Sequence, residues 1–201
     1  MPSPRHLFFI LAILITSTAF AVDKKPLPPA PAKSLAQPVT NEFIQKQFGE
    51  NCTVLPGPRQ FVGDLDGDGI EDLVVAAKCK NPMADRDELD YVVADPFDTF
   101  MGFGDVKVTS NFASDVPERR GVAMLIIHGA DKDAWQAEKP KAKFLLINLP
   151  FKTLAVKKYS VKKRTVLGIY MEEQGEGESN SSVIYWDGKK YRYVQLGSTM
   201  E

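Results

Sequence analysis

A chain of 201 residues, 44% of them hydrophobic, is long and apolar enough to bury a core, which excludes a wholly disordered protein. With 25 basic against 26 acidic side chains the formal net charge is −1. That balance gives no electrostatic reason for a polyanionic partner, so no nucleic acid is expected.

The N-terminus reads as a cleavable secretory signal over residues 1–21. Arg5 and His6 precede an apolar run, residues 7–20 (LFFILAILITSTAF), that is shorter than the ~20 residues needed to cross a bilayer. Ala19 and Ala21 are small residues at the positions a signal peptidase reads. The cut is expected between Ala21 and Val22, and the product is expected to be secreted or periplasmic with no transmembrane segment. It keeps 24 of the 25 basic side chains against 26 acidic ones, a formal −2. Residues 22–39 hold Pro26, Pro28, Pro29, Pro31 and Pro38 among Lys and Ala and read as a disordered linker. Residues 40–199 remain for a single domain.

In that domain Thr40 is placed to cap a short helix over residues 41–48, where Phe43, Ile44, Gln47 and Phe48 recur at helical spacing and Gly49 offers a stop. From there the pattern is β. Cys52 and Cys79, an even pair in an exported chain, are expected to form a disulfide. Residues 60–63 and 72–80 flank an acidic loop and are expected as the arms of a hairpin. Residues 81–120 show no sustained period. They are expected to hold an extra strand or short helix near residues 95–101, with Tyr91, Phe97, Phe100, Phe103 and Phe112 as a satellite core.

Residues 121–128 (GVAMLIIH) and 143–149 (KFLLINL) have the length and apolarity of buried strands, with a helical turn or two around Trp135 between them. A strand over residues 155–161 opens a basic stripe, Lys157, Lys158, Lys162, Lys163 and Arg164, as expected of a solvated edge. Residues 165–171, 182–186 and 191–196 read as a meander in which Asp187 and Gly188 predict a two-residue hairpin turn. The expected fold class is mainly β, an antiparallel sandwich or open barrel with a C-terminal meander and one short N-terminal helix.

Specific chemistry is confined to residues 64–72 (DLDGDGIED). Calcium takes six to eight oxygens from carboxylates and carbonyls on a chain that turns tightly around it. Asp64, Asp66, Asp68 and Asp72 fall at positions one, three, five and nine, and the Ile70 carbonyl falls at seven. Gly67 and Gly69 let the backbone wrap. An EF-hand would need Glu at position twelve and helices on both sides, but that position is Val75 and the flanks read as strands.

With its flanks, over about residues 60–77, the loop resembles the DxDxDGxxD hairpin loop of the FG-GAP and VCBS-type repeats of integrin-like and many secreted bacterial proteins. The resemblance implies calcium as a structural ion, with Asp64, Asp66, Asp68, Ile70 and Asp72 as its metal ligands. One such loop is present in this chain.

Catalytic inventories are thin. His128 is the one histidine outside the signal and reads as a hydrogen-bonded structural residue, so a zinc site of several imidazoles is excluded. Carboxylates crowd residues 81–120, among them Asp85, Asp87, Glu88, Asp90, Asp95, Asp98 and Asp105, and residues 172–178. They read as solvated loops. The function expected is an exported calcium-binding β-domain, a structural or interaction module whose partner is a protein or glycan at the cell envelope or beyond. The alternative is a secreted carbohydrate hydrolase using two loop carboxylates.

Overall fold

The computed structural model describes residues 29–35, 37–57, 59–102, 120–149, 151–174 and 178–200. The expected signal, and with it the cleavage point, lies outside the described residues, as do Phe103, Asp105 and Phe112. The described residues are mainly β, with two largely antiparallel sheets, few helices and no closed barrel.

The stretch expected as a disordered linker enters the fold at its C-terminal end. Beyond the last closely spaced proline, β1 (Lys33–Ser34) pairs antiparallel with β3 (Gln60–Gly63). Val39 is buried there, and its N–H donates to Gln60 Oε1 at 2.7 Å. Helix α1 (Asn41–Phe48) starts where expected, with the Thr40 hydroxyl accepting from the Phe43 N–H, and stops at Gly49, whose φ of 88° favours glycine.

The larger sheet is built around β4 (Asp72–Cys79). One edge of β4 is shared by β3 at its start and by β2 (Cys52–Val54) at its end, where Cys52 faces Cys79 and the two form a disulfide. The other edge takes β6 (Val122–His128), followed by β7 (Ala142–Leu146). The sheet ends at β5 (Val92–Ala94), which runs parallel to β7, an exception to the antiparallel rule. Helix α2 (Pro96–Phe100) follows β5, capped by Asp95. Strand β7 is shorter than expected because Asn148 takes a φ of 57°, which ends extended backbone.

The smaller sheet is the meander β8 (Thr153–Val161), β9 (Arg164–Gln174), β10 (Glu178–Trp186) and β11 (Tyr191–Met200). The expected two-residue turn is instead a four-residue one, since Trp186 pairs with Tyr191. The Asp187 carboxylate accepts from the Lys189 and Lys190 N–H groups and from Arg192 Nε, which holds a wider loop.

Two apolar layers explain the unbroken apolar runs of β4 and β6. On one face Leu73, Val75, Ala77, Leu125 and Ile127 pack under α1, against Ile44 and Phe48. On the other face Val74, Ala76, Met124 and Ile126 pack against Leu167, Ile169, Met171 and Ile184 of the meander. Tyr91 is buried against Phe48, while Phe97 and Phe100 both meet Tyr193. The helical turn expected near Trp135 is a short 3-10 turn, Asp131–Asp133, and Trp135 packs edge-on to Phe43. No helix among the described residues is long and apolar enough to cross a membrane.

Candidate metal centre

The acidic residues are gathered by the hairpin. Pairing of Gly63 with Asp72 closes β3 on β4, so residues 64–71 must reverse the chain within one loop. Gly67 and Gly69 do this at φ of 82° and 89°. The loop then folds its N–H groups inward onto its own carboxylates. Asp64 accepts from the N–H groups of Gly67, Asp68 and Gly69 at 2.7 to 3.0 Å. Asp72 accepts from Leu65 and Asp66 through Oδ2, and from Gly129 through Oδ1.

Three carboxylates, those of Asp64, Asp66 and Asp72, each bring an oxygen to within 4.8 Å of the others. Oxygens set around a cation at ~2.0 to 2.6 Å from its centre have this spread, so the group can hold a metal ion. Asp68 stands apart from the three. Its Oδ1 accepts from the Ile70 N–H, and its Oδ2 takes the Lys141 ammonium at 2.6 Å. The same ammonium is 2.6 Å from Asp66 Oδ2, so Lys141 bridges two of the loop carboxylates.

Burial sets the electrostatics. Asp72 is pushed up to about 7 by desolvation, although three N–H groups pull it the other way. Burial also acts to raise Asp68, but the Lys141 and Ile70 hydrogen bonds prevail and its carboxyl lies below the ordinary range. The hydrogen bonds to Asp66 and Asp68 hold Lys141 above the usual lysine range.

Behind the loop sits a buried polar relay that local spacing does not reveal. His128, at the end of β6, points between the sheets among Phe144, Trp186 and Tyr191. Its Nε2 is 2.7 Å from the Tyr191 hydroxyl, and its Nδ1 is 3.4 Å from Asp66 Oδ2. Burial lowers His128 to about 4 against the attraction of Asp66, so the ring is neutral near pH 7. It then carries its proton toward Asp66 and accepts from Tyr191. Tyr191→Phe, which leaves that buried nitrogen without a partner, is expected to cost about 1 to 3 kcal/mol in urea unfolding. A loss under about 0.5 kcal/mol would contradict this.

Sequence spacing thus named the three gathered aspartates, Asp64, Asp66 and Asp72, and also Asp68, which the fold turns to a lysine 73 residues away. Ile70 contributes its N–H to Asp68. Gly129 was not singled out. Its N–H reaches Asp72, and a Cβ there would come within 2.4 Å of the Glu71 carbonyl oxygen, so glycine is required. The disulfide suits an oxidising compartment. No protein-family model, curated protein or solved structure matches this chain.

Proposed function

We propose that the chain is an exported β-domain whose β3–β4 loop holds calcium as a structural ion, and that it serves as a structural or interaction module at the cell envelope or in the extracellular space. The observation that carries the reading is the convergence of Asp64, Asp66 and Asp72 oxygens within 4.8 Å. In the loaded loop these three are the core ligands, and the Asp68 carboxylate and Ile70 carbonyl complete the shell, as the resemblance to FG-GAP and VCBS-type loops implies. Donor chemistry favours calcium over zinc or copper. The set is all oxygen, both cysteines are in the disulfide, and His128 is engaged with Tyr191. Export rests on the signal-like N-terminus and the disulfide. Among the described residues the cavity beside β5 is lined by one carboxylate, Asp95, where glycoside hydrolysis uses two.

Calorimetry on chelator-treated protein tests the ion. One calcium site is expected, with Kd of roughly 10⁻⁴ to 10⁻³ M as in extracellular modules, and weaker magnesium binding. Asp66→Asn, which keeps shape and removes charge, is expected to abolish the heat. Absence of any calcium heat at millimolar concentration in the unaltered protein would overturn the reading.

A further inference from the structure

A cavity of about 320 Å³ lies beside β5, lined by residues 92–96 and 99, by Phe144 and Tyr191, and by Lys189 and Lys190 of the β10–β11 turn. Side chains alternate across a strand, so consecutive residues border one cavity only when the strand's edge faces it. The phase of the parallel ladder says which peptide is presented. The Ile147 N–H donates to the Ala94 carbonyl at 3.0 Å, so Val92 and Ala94 turn their peptide groups toward β7. The N–H and C=O of Val93 then point away from the sheet. Among the described residues β5 pairs with no other strand.

An exposed apolar side chain, Val92, and a charge, Lys189, line the cavity together. The large hydrophobic side chains most exposed among the described residues are Val92, Phe100, Met101 and Leu196, and three of these four belong to the β5–α2 stretch. Two of the acids there are already engaged. Asp187 is held by Arg192, and Asp95 accepts from Asn148 Nδ2 and from the Asp98 N–H. Lys189 is exposed and its ammonium has no acidic partner among the described residues.

We infer that this slot takes an extended segment of a partner protein with alternating acidic and apolar residues, added as a strand along β5. The segment's backbone pairs with the Val93 peptide, an acidic side chain meets the Lys189 ammonium, and apolar side chains cover Val92 and Phe100. A simple carboxylate ligand would answer Lys189 but leave the edge peptide and the apolar rim unmet. The inference names a partner for the interaction role proposed above and does not require the loop to hold an ion.

The probe is a pool of N-acetylated, C-amidated pentapeptides in which Val, Ile or Leu alternates with Asp or Glu. It is titrated into the isotope-labelled full chain and followed by amide NMR, in one arm with chelator and in another with calcium. Saturable shifts centred on residues 92–95 and 189–191 are expected in both arms, with the Val93 amide proton moving downfield. Replacing the acids of the pool by Lys, or N-methylating its backbone, is expected to weaken binding at least about tenfold. Lys189→Glu, an exposed change whose folding the same spectra check, is expected to do likewise. No saturable shift up to about 5 mM peptide, or shifts centred elsewhere, would overturn the inference. So would indifference to Lys189→Glu, or equal binding of decanoate at these residues, which would make the slot a small-anion site. Calcium heat is a separate readout, so failure of the ion leaves the peptide result interpretable.

Discussion

Calcium at about a hundredfold excess over its Kd is expected to raise the melting temperature of chelator-treated protein by about 5 to 10 °C. An ion that binds only the folded state adds RT ln(1 + [L]/Kd), about 2.7 kcal/mol at that excess, and a domain of this size gains roughly 2 to 4 °C per kcal/mol. The ion-free loop is not bare, because Lys141 already offsets the charges of Asp66 and Asp68 and the backbone N–H groups offset Asp64. The domain should therefore stay folded without calcium and show a shift in midpoint. Asp66→Asn is expected to remove the shift. Asp68→Asn should keep more of it, since Asp68 lies outside the group of three. Identical melting curves in chelator and in several millimolar calcium would dismiss the structural ion.

Reducing the Cys52–Cys79 bond is expected to lower stability by more than any single loop contact. The bridge spans a sequence separation of 27, and in the chain-entropy model a loop of that length is worth roughly 3 to 4 kcal/mol through restriction of the unfolded chain. Unfolding in denaturant with and without reductant, and of the double variant Cys52→Ala, Cys79→Ala, measures it. Neither sulfur is a free thiol while the bond is intact, so labelling by a thiol reagent should require reduction even after denaturation. A loss under about 1 kcal/mol, or labelling without reductant, would remove the bond from the stability of the domain.

Local pattern and spacing made most of this architecture legible. The cap at Thr40, the hairpin arms around residues 64–71 and the three last strands all follow from residues close together in sequence. What escaped depends on partners far apart. Strands of two and three residues, β1 and β2, carry no periodicity of their own and exist because β3 and β4 offer them edges. The Asp187 turn widened because its side chain captured N–H groups that a two-residue turn would not present. At the site, alternating aspartates were visible, but nothing in residues 64–72 foretells that Lys141 claims Asp68 or that His128 and Tyr191 stand behind Asp66.

Strand β4 raises a question of alignment. Its sequence, DLVVAAKC, is apolar on both faces because α1 covers one side and the meander the other. In a half-buried strand, sliding by one residue would expose the hydrophobic set, and that cost holds the pairing in place. In LVVAA the penalty is slight, since either face accepts a small aliphatic group. The ends of the strand supply what its middle lacks. Asp72 at the start is tied by the N–H groups of Leu65, Asp66 and Gly129, and Cys79 at the finish is covalently joined to Cys52. Fastened at both termini, the strand cannot slip against β3, β2 or β6, and the central ladder of the protein has a single reading frame.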